Sequence, residues 1–130
     1  MENYIFNDEL FAIVIRNNFD KEGITFFTEE TLSQQLAYMN HPKGKVIQPH
    51  IHKPIERTVA YTQEVLIIKD GILKVNFYSE DQTYLESILL KKGDTILLIK
   101  GGHGFSVIED VKMIEVKQGP YAGDNDKIKF

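Results

Sequence analysis

Short apolar segments separated by polar turn residues run along most of the chain. Residues 9–15 (ELFAIVI) and 24–27 (ITFF) are rich in β-branched and aromatic side chains, which predicts two strands. From residue 45 onward, further strand-sized segments follow at short intervals: 45–52, 63–69, 72–78, 84–90, 94–99, 103–108 and 111–117. Turn residues separate several of them, at Asp70-Gly71, Ser79 to Gln82 and Lys92 to Asp94. The pattern predicts an all-β core built as a barrel or sandwich.

One short helix is predicted ahead of this core. Thr28 places a hydroxyl before two glutamates, as at a helix N-terminus, and Pro42 would end the segment. The apolar side chains that such a helix would carry are Leu32, Leu36 and Met39. The expected fold is therefore all-β with a short N-terminal helix.

Length and composition favour one soluble globular domain over residues 1–130. The chain has 42% hydrophobic and 26% charged residues, and 130 residues suffice for one core. The net charge of -4 and the absence of a Lys/Arg run disfavour nucleic acid as a partner. Because the chain has no cysteine, histidine and carboxylate side chains are the remaining ligands for a first-row metal ion.

The N-terminal segment does not resemble a secretion signal. Acidic residues lie beside its apolar stretch, and no basic region precedes a small-residue cleavage site. No apolar run approaches the roughly 20 residues that a membrane-spanning helix needs. We therefore expect a cytoplasmic location and no membrane partner.

Two histidines and a glutamate carry the candidate chemistry. His50 and His52 are separated by one residue in a strand-like segment, and a strand sends alternate side chains to the same face, so both imidazoles can meet one ion. Glu64 begins the apolar segment EVLIIKDG on the same predicted face as Leu66 and Ile68. A carboxylate at the start of an inward apolar face needs a partner, and a metal ion would supply one.

These residues occur in a motif that resembles the first motif of the cupin family, G-x5-H-x-H-x3,4-E-x6-G. Gly44-x5-His50-x-His52 matches its first half, and Glu64-x6-Gly71 matches its end. The match departs from the family in one respect, because eleven residues separate the second histidine from the glutamate instead of three or four.

Glu56 is the alternative carboxylate. It stands at the usual three-residue spacing, but it lies in a proline-containing stretch and no strand and glycine follow at the expected offset. Glu64 is therefore the better candidate ligand.

A second segment resembles the other cupin motif, G-x5-P-x-G-x2-H-x3-N. Gly93 and His103 align with its first glycine and its histidine. Ile99 replaces the proline, Val107 replaces the asparagine, and one residue fewer precedes the histidine. The resemblance covers approximately residues 44–117 and implies a cupin-type double-stranded β-helix, or jelly-roll, barrel.

Resemblance to metal-bearing cupins further implies one divalent ion held by His50, His52, Glu64 and His103. Iron, manganese, nickel, cobalt, copper and zinc all accept such ligands, and the ligand types do not select among them. The resemblance suggests a metal-dependent enzyme acting on a small oxygen-rich metabolite such as a sugar derivative, with dioxygen bound if the ion is iron. The segment from Glu115 to Tyr121 is similar to that of small cupins encoded among bacterial sugar-nucleotide and surface-polysaccharide genes.

Two other functions are consistent with the same residues. The first is a metal-free isomerase or epimerase of activated sugars in which His50 or His103 removes a proton, as in other cupins. The second is a non-catalytic module that binds a small molecule in the barrel.

Candidate substrate contacts are Arg57, which is suited to an anionic group, and the aromatic residues Tyr61 and Phe105.

A homodimer is the expected assembly. The apolar segments 9–15 and 24–27 lie outside the cupin motifs, and strand edges must be paired, covered or charged to prevent uncontrolled association. Two-fold pairing is the commonest solution. We expect the N-terminal strands or the tail after Gly119 to cross onto a second subunit.

Overall fold

The computed structural model describes residues 1–130 and contains eight strands. Strands account for 48% of the residues and no helix is present, so the all-β prediction is confirmed. No segment forms an apolar helix long enough to cross a membrane. The strands are β1 (Glu2–Phe6), β2 (Glu9–Ile15), β3 (Gly23–Phe26), β4 (Ala37–Asn40), β5 (Glu64–Tyr78), β6 (Tyr84–Lys91), β7 (Thr95–Leu98) and β8 (Gly102–Lys117).

The chain divides into two compact units. Unit 1 comprises residues 1–19 and 61–130, and unit 2 comprises residues 20–60. The expectation of a single domain over residues 1–130 stays a prediction.

Unit 1 is an antiparallel sheet of six strands. The strand order is β1-β2-β7-β5-β6, and β8 pairs with the other edge of β5. The first half of β5 pairs with β7 and its second half with β6, while β8 accompanies it from Glu64 to Tyr78. The long strand β5 therefore pairs with three other strands of the unit, β6, β7 and β8.

The inner face of this sheet carries the core. Its buried side chains come from the four strands β2, β5, β6 and β7: Ala12, Val14, Leu66, Ile68, Leu73, Val75, Phe77, Ile88, Leu90, Ile96 and Leu98. Strand β2 is buried on both faces, because Phe11 and Ile13 are also at most 3% exposed. Burial on both faces agrees with the continuous apolar run ELFAIVI, which has no polar alternation.

Strands β5 and β8 form a ribbon that curls at Gly71. This glycine has a φ of +85°, and the register with β8 shifts on either side of it. A side chain at this position would overlap the Asp110 backbone. The predicted strands 63–69 and 72–78 are thus one bent strand, β5, and 103–108 and 111–117 are likewise one strand, β8. The turn predicted at Asp70-Gly71 is a bend within the sheet.

A buried carboxylate ties the start of the sheet to the turn before β7. Asp94 accepts hydrogen bonds from the backbone N–H groups of Asn17 (2.9 Å) and Lys91 (2.8 Å), and from Arg16 Nη1 (3.0 Å). Arg16 also donates to Glu2, from Nε at 2.7 Å and from Nη2 at 3.0 Å. This network fixes the predicted turn at Lys92 to Asp94, which the structure contains.

The Glu2 carboxylate makes stability depend on pH. Its hydrogen bonds from Arg16 and then from Tyr4 lower its pKa from 4.5 to about 2. A carboxylate with a lowered folded-state pKa stabilises the fold above its unfolded pKa, and this contribution is lost as the pH falls from about 4.5 to about 2. Because the side chain is 40% exposed, we expect Glu2→Gln to cost only about 0.5–1 kcal/mol at pH 7. Urea unfolding should show this difference at pH 7 and its loss near pH 2, and a difference independent of pH would contradict the assignment.

Unit 2 contains the antiparallel hairpin β3–β4, with Phe26 opposite Ala37. The predicted helix over this region is wrong, because residues 30–34 form turns and bends and β4 follows. The Thr28 hydroxyl donates to Gln35 Oε1 and accepts the Leu36 N–H, and Gln35 Nε2 donates to the backbone carbonyls of Glu29 and Leu32. A short isolated helix is marginal in water, so this loop and the strand pairing replace it.

The strand predicted at 45–52 is also absent. Residues 46–60 form no regular secondary structure, and residues 42–61 are exposed along their whole length. Several apolar side chains in this segment face solvent, including Val46 (77% exposed) and Ile51 (92% exposed). Strand alternation therefore does not position the two histidines in this structure.

Candidate metal centre

Glu64 lies on the inner face at the beginning of β5. It is 8% exposed and precedes the buried residues Leu66 and Ile68 on the same face. Its inward position agrees with the alternation expected from the sequence. A buried carboxylate needs a charged or hydrogen-bonding partner, because an unpaired charge in an apolar environment is strongly destabilising.

His103 supplies that partner from the far end of the ribbon. It pairs with Phe77 across β5 and β8, and directly opposed residues share a face of the sheet, so the imidazole also points inward. Glu64 and Phe77 are 13 positions apart on one strand, which would separate them by about 40 Å if the strand were straight. The curl brings His103 Nε2 to 3.3 Å from Glu64 Oε2.

The electrostatics of the pair favour an ionised carboxylate. The hydrogen bond with His103 lowers the pKa of Glu64, and this effect outweighs burial, which acts in the opposite direction. The positive charges of Lys117 and Lys127 add to the lowering. Glu64 is thus an anion beside an imidazole, an arrangement that can bind a cation or orient the imidazole for proton transfer.

His50 and His52 lie together in the exposed segment of unit 2. Their ring centroids are 5.1 Å apart and the rings are nearly perpendicular, at 75°. His50 Nδ1 lies 3.0 Å from the backbone carbonyl oxygen of Gln48. If Nδ1 carries the proton and donates to this oxygen, the lone pair of Nε2 is available to a metal ion.

The candidate donors form two pairs of side chains, one in each unit. Unit 1 contributes the Glu64–His103 pair and unit 2 the His50–His52 pair, and neither unit by itself gathers three His, Asp or Glu side chains as metal ligands. Neutral imidazoles with one carboxylate suit iron, manganese, nickel, cobalt, copper or zinc. The four-ligand set expected from the sequence stays a prediction.

The remaining sequence candidates fall in both units. Arg57 and the alternative ligand Glu56 lie in the exposed segment of unit 2. Tyr61 is exposed at the start of the second part of unit 1, where Lys100 Nζ lies 5.6 Å from its ring centroid. The Phe105 ring centroid lies 5.3 Å from that of His103, so this aromatic residue borders the Glu64–His103 pair.

Sequence reasoning missed the lysine and the tail that accompany this pair. Lys117 stands directly opposite Glu64 in the β5–β8 register, which no local sequence pattern discloses. The C-terminal tail returns to unit 1, where Asp126 accepts a hydrogen bond from Thr62 (3.0 Å) and Phe130 packs against Tyr78 at a centroid distance of 5.1 Å. The sequence suggests that this tail contacts a second subunit, and it does not indicate these contacts within unit 1.

The unit 1 pair and the unit 2 pair are therefore the two features from which a function can be argued. Comparison of the chain with protein-family models, with curated proteins and with solved structures finds no match.

Proposed function

We propose that the protein is a cupin-type metalloenzyme acting on a small oxygen-rich metabolite such as a sugar derivative. The observation that carries the proposal is the contact between Glu64 and His103, 3.3 Å apart although they lie at opposite ends of the ribbon. The resemblance to metal-bearing cupins implies that both residues are ligands of one ion. The curled antiparallel sheet is compatible with the jelly-roll barrel that the resemblance implies.

In this proposal His50, His52, Glu64 and His103 hold the ion. When bound, the ion would act as a Lewis acid toward a carbonyl or hydroxyl oxygen of the substrate. Glu64 would serve as a ligand and not as a base. Phe105 would border the substrate beside His103, as the short distance between their rings supports.

The same contact supports a second candidate, a metal-free isomerase or epimerase. A carboxylate hydrogen-bonded to an imidazole fixes the orientation of the ring and stabilises its protonated form. His103 would then take a proton from a carbon next to a carbonyl group, and Glu64 would stabilise the resulting imidazolium. The ionised state of Glu64 favours this role, since its lowered pKa keeps it negative at neutral pH.

Metal content and stability distinguish the two candidates. Protein purified without a histidine tag should contain one transition-metal ion per chain by elemental analysis. Replacement of His52 by alanine should lower the melting temperature only in metal-loaded protein, because a ligand of the native state adds stability by mass action. Added chelator should remove the difference between wild type and variant.

The matched control is His41→Ala, which removes a histidine of unit 2 that belongs to neither pair. It should respond to chelator as the wild type does. Metal-free wild-type protein whose stability is unchanged by added cobalt, nickel or zinc would reject the metal site and leave proton transfer at His103 as the function to test.

A further inference from the structure

The C-terminal tail of unit 1 is anchored beside Glu64 at two points. Where the tail leaves β8, the Gln118 N–H donates to the Gln63 carbonyl oxygen at 2.9 Å. The tail then turns back, and Asp126 Oδ2 accepts a hydrogen bond from the Thr62 hydroxyl at 3.0 Å. Thr62 and Gln63 directly precede Glu64 in the chain, so both contacts lie at this end of the β5–β8 ribbon.

Four residues after Asp126, the tail is anchored at the opposite end of the ribbon. The Phe130 ring meets the Tyr78 ring edge to face, with their centroids 5.1 Å apart. Tyr78 stands opposite Gly102, the residue before His103. A Cβ atom at Gly102 would lie 3.3 Å from Phe130 Cζ, so the missing side chain leaves room for the ring. Because adjacent residues of a strand face opposite sides, Phe130 supports β8 from the side opposite the His103 imidazole.

These anchors close a circuit of contacts around the candidate site. Asp126 and Phe130 are four positions apart, so the chain between them spans about 14 Å at most. The two ribbon ends lie within that reach, in agreement with the 3.3 Å between Glu64 Oε2 and His103 Nε2. The positive charge of Lys127, between the two anchors, also contributes to the lowered pKa of Glu64. The tail therefore passes close to the pair.

A contact between the ends of a long ribbon is sensitive to the angle of its bend. About seven residues of strand, or roughly 20 Å, separate Gly71 from either end of β5. A change of about 5° in the bend would move such an end by roughly 2 Å. No hydrogen bond between Glu64 and His103 remains after a displacement of this size. A restraint at the ends themselves limits the movement.

We propose that residues 126–130 form a clasp that holds the two ends of the ribbon together and sets the contact between Glu64 and His103. Asp126 and Phe130 are then positioning residues of the site. The inference rests on the proposed function in taking this pair as part of the site. It applies to both candidate chemistries, because two ligands of one ion and a general base with its carboxylate both need a fixed separation.

Chemical modification of histidine tests the clasp without metal or substrate. Diethyl pyrocarbonate acylates accessible neutral imidazoles, and mass spectrometry of peptides gives the rate at each histidine. In chelator-treated protein, Thr62→Val and Phe130→Ala should each raise the rate at His103 about fivefold, the change expected when one hydrogen bond of ordinary strength no longer holds the ring. The rate at His41 is the internal reference and should stay constant.

Conservative variants separate positioning from general loosening of the protein. Thr62→Ser keeps the hydroxyl and Phe130→Tyr keeps the ring, so both should retain the wild-type rate at His103. Ile128→Ala is the control within the clasp, because its side chain is 83% exposed between the two anchors, and it should also react as the wild type does. Phe130 is itself 62% exposed, so its replacement should leave the circular dichroism spectrum unchanged.

Two results would overturn the clasp. One is an unchanged rate at His103 in Thr62→Val, even if Phe130→Ala reacts faster, because Phe130 would then only shield the imidazole from the reagent. The other is an equal increase at His41 and His103, since the substitution would then loosen the whole protein.

Cobalt binding reports on the proposed function separately. A wild type that binds no Co²⁺ rejects the metal role, whereas the modification rates still decide whether the clasp holds the pair. If the wild type binds Co²⁺, we expect Thr62→Val to weaken its affinity about fivefold and Thr62→Ser to leave it unchanged.

Discussion

Replacement of Asp94 by alanine should lower the free energy of unfolding by about 3–5 kcal/mol. The carboxylate is 5% exposed and accepts two backbone N–H groups and one guanidinium N–H. Its removal leaves the Asn17 and Lys91 amides without their acceptor, and it leaves Arg16 with Glu2 as its remaining acidic partner. Urea unfolding monitored by circular dichroism measures the loss.

Glu9→Ala is the matched control, since it also removes a carboxylate paired with a cation. Glu9 lies 2.9 Å from Lys100 Nζ, close to the 3.0 Å between Asp94 and Arg16, but its side chain is 52% exposed. Solvent screening limits such a pair to about 0–1 kcal/mol. Equal losses in the two variants would show that burial does not determine the contribution of Asp94.

The second large effect is expected at the bend of the β5–β8 ribbon. Gly71→Ala should destabilise the protein by about 3 kcal/mol, because an alanine in the left-handed region is strained and its Cβ would overlap the Asp110 carbonyl. The backbone of β8 would have to move. The same displacement should separate His103 from Glu64, since the bend brings the two ends of the ribbon together.

Gly23→Ala measures the cost of backbone strain alone, without the steric overlap that adds to the loss of unfolding free energy in Gly71→Ala. Gly23 has a φ of +86°, nearly the same as Gly71, but no atom lies within 4 Å of the position of an added Cβ. We expect a cost of about 1 kcal/mol from backbone strain alone. Similar unfolding free energies for the two variants would mean that the contact with Asp110 does not constrain the ribbon.

Local patterns predicted several strands closely. The run ELFAIVI forms β2 over the predicted residues 9–15, and alternation placed Glu64 inward with Leu66 and Ile68. The turns at residues 79–82 and 92–94 follow from their polar and glycine residues. These features depend on neighbours in the chain, which is why a single sequence discloses them.

Local patterns failed where a longer-range partner decides the structure. The apolar spacing after Thr28 suggested a helix, but hairpin pairing of β3 with β4 and the Gln35 side-chain hydrogen bonds replace it. Strand β1 was not predicted and forms by pairing with β2. The segment 45–52 has strand composition but lacks a strand partner, so it forms none.

The sequence by itself determined the all-β class, the turns at residues 79–82 and 92–94, and which histidine and glutamate residues are candidate metal ligands. It also indicated that Glu64 faces the core, because side-chain alternation is a property of a single strand. Only the tertiary structure decided that His103 meets Glu64. That contact depends on the bend at Gly71 and on the register between two strands, both of which are set by interactions between residues distant in the chain.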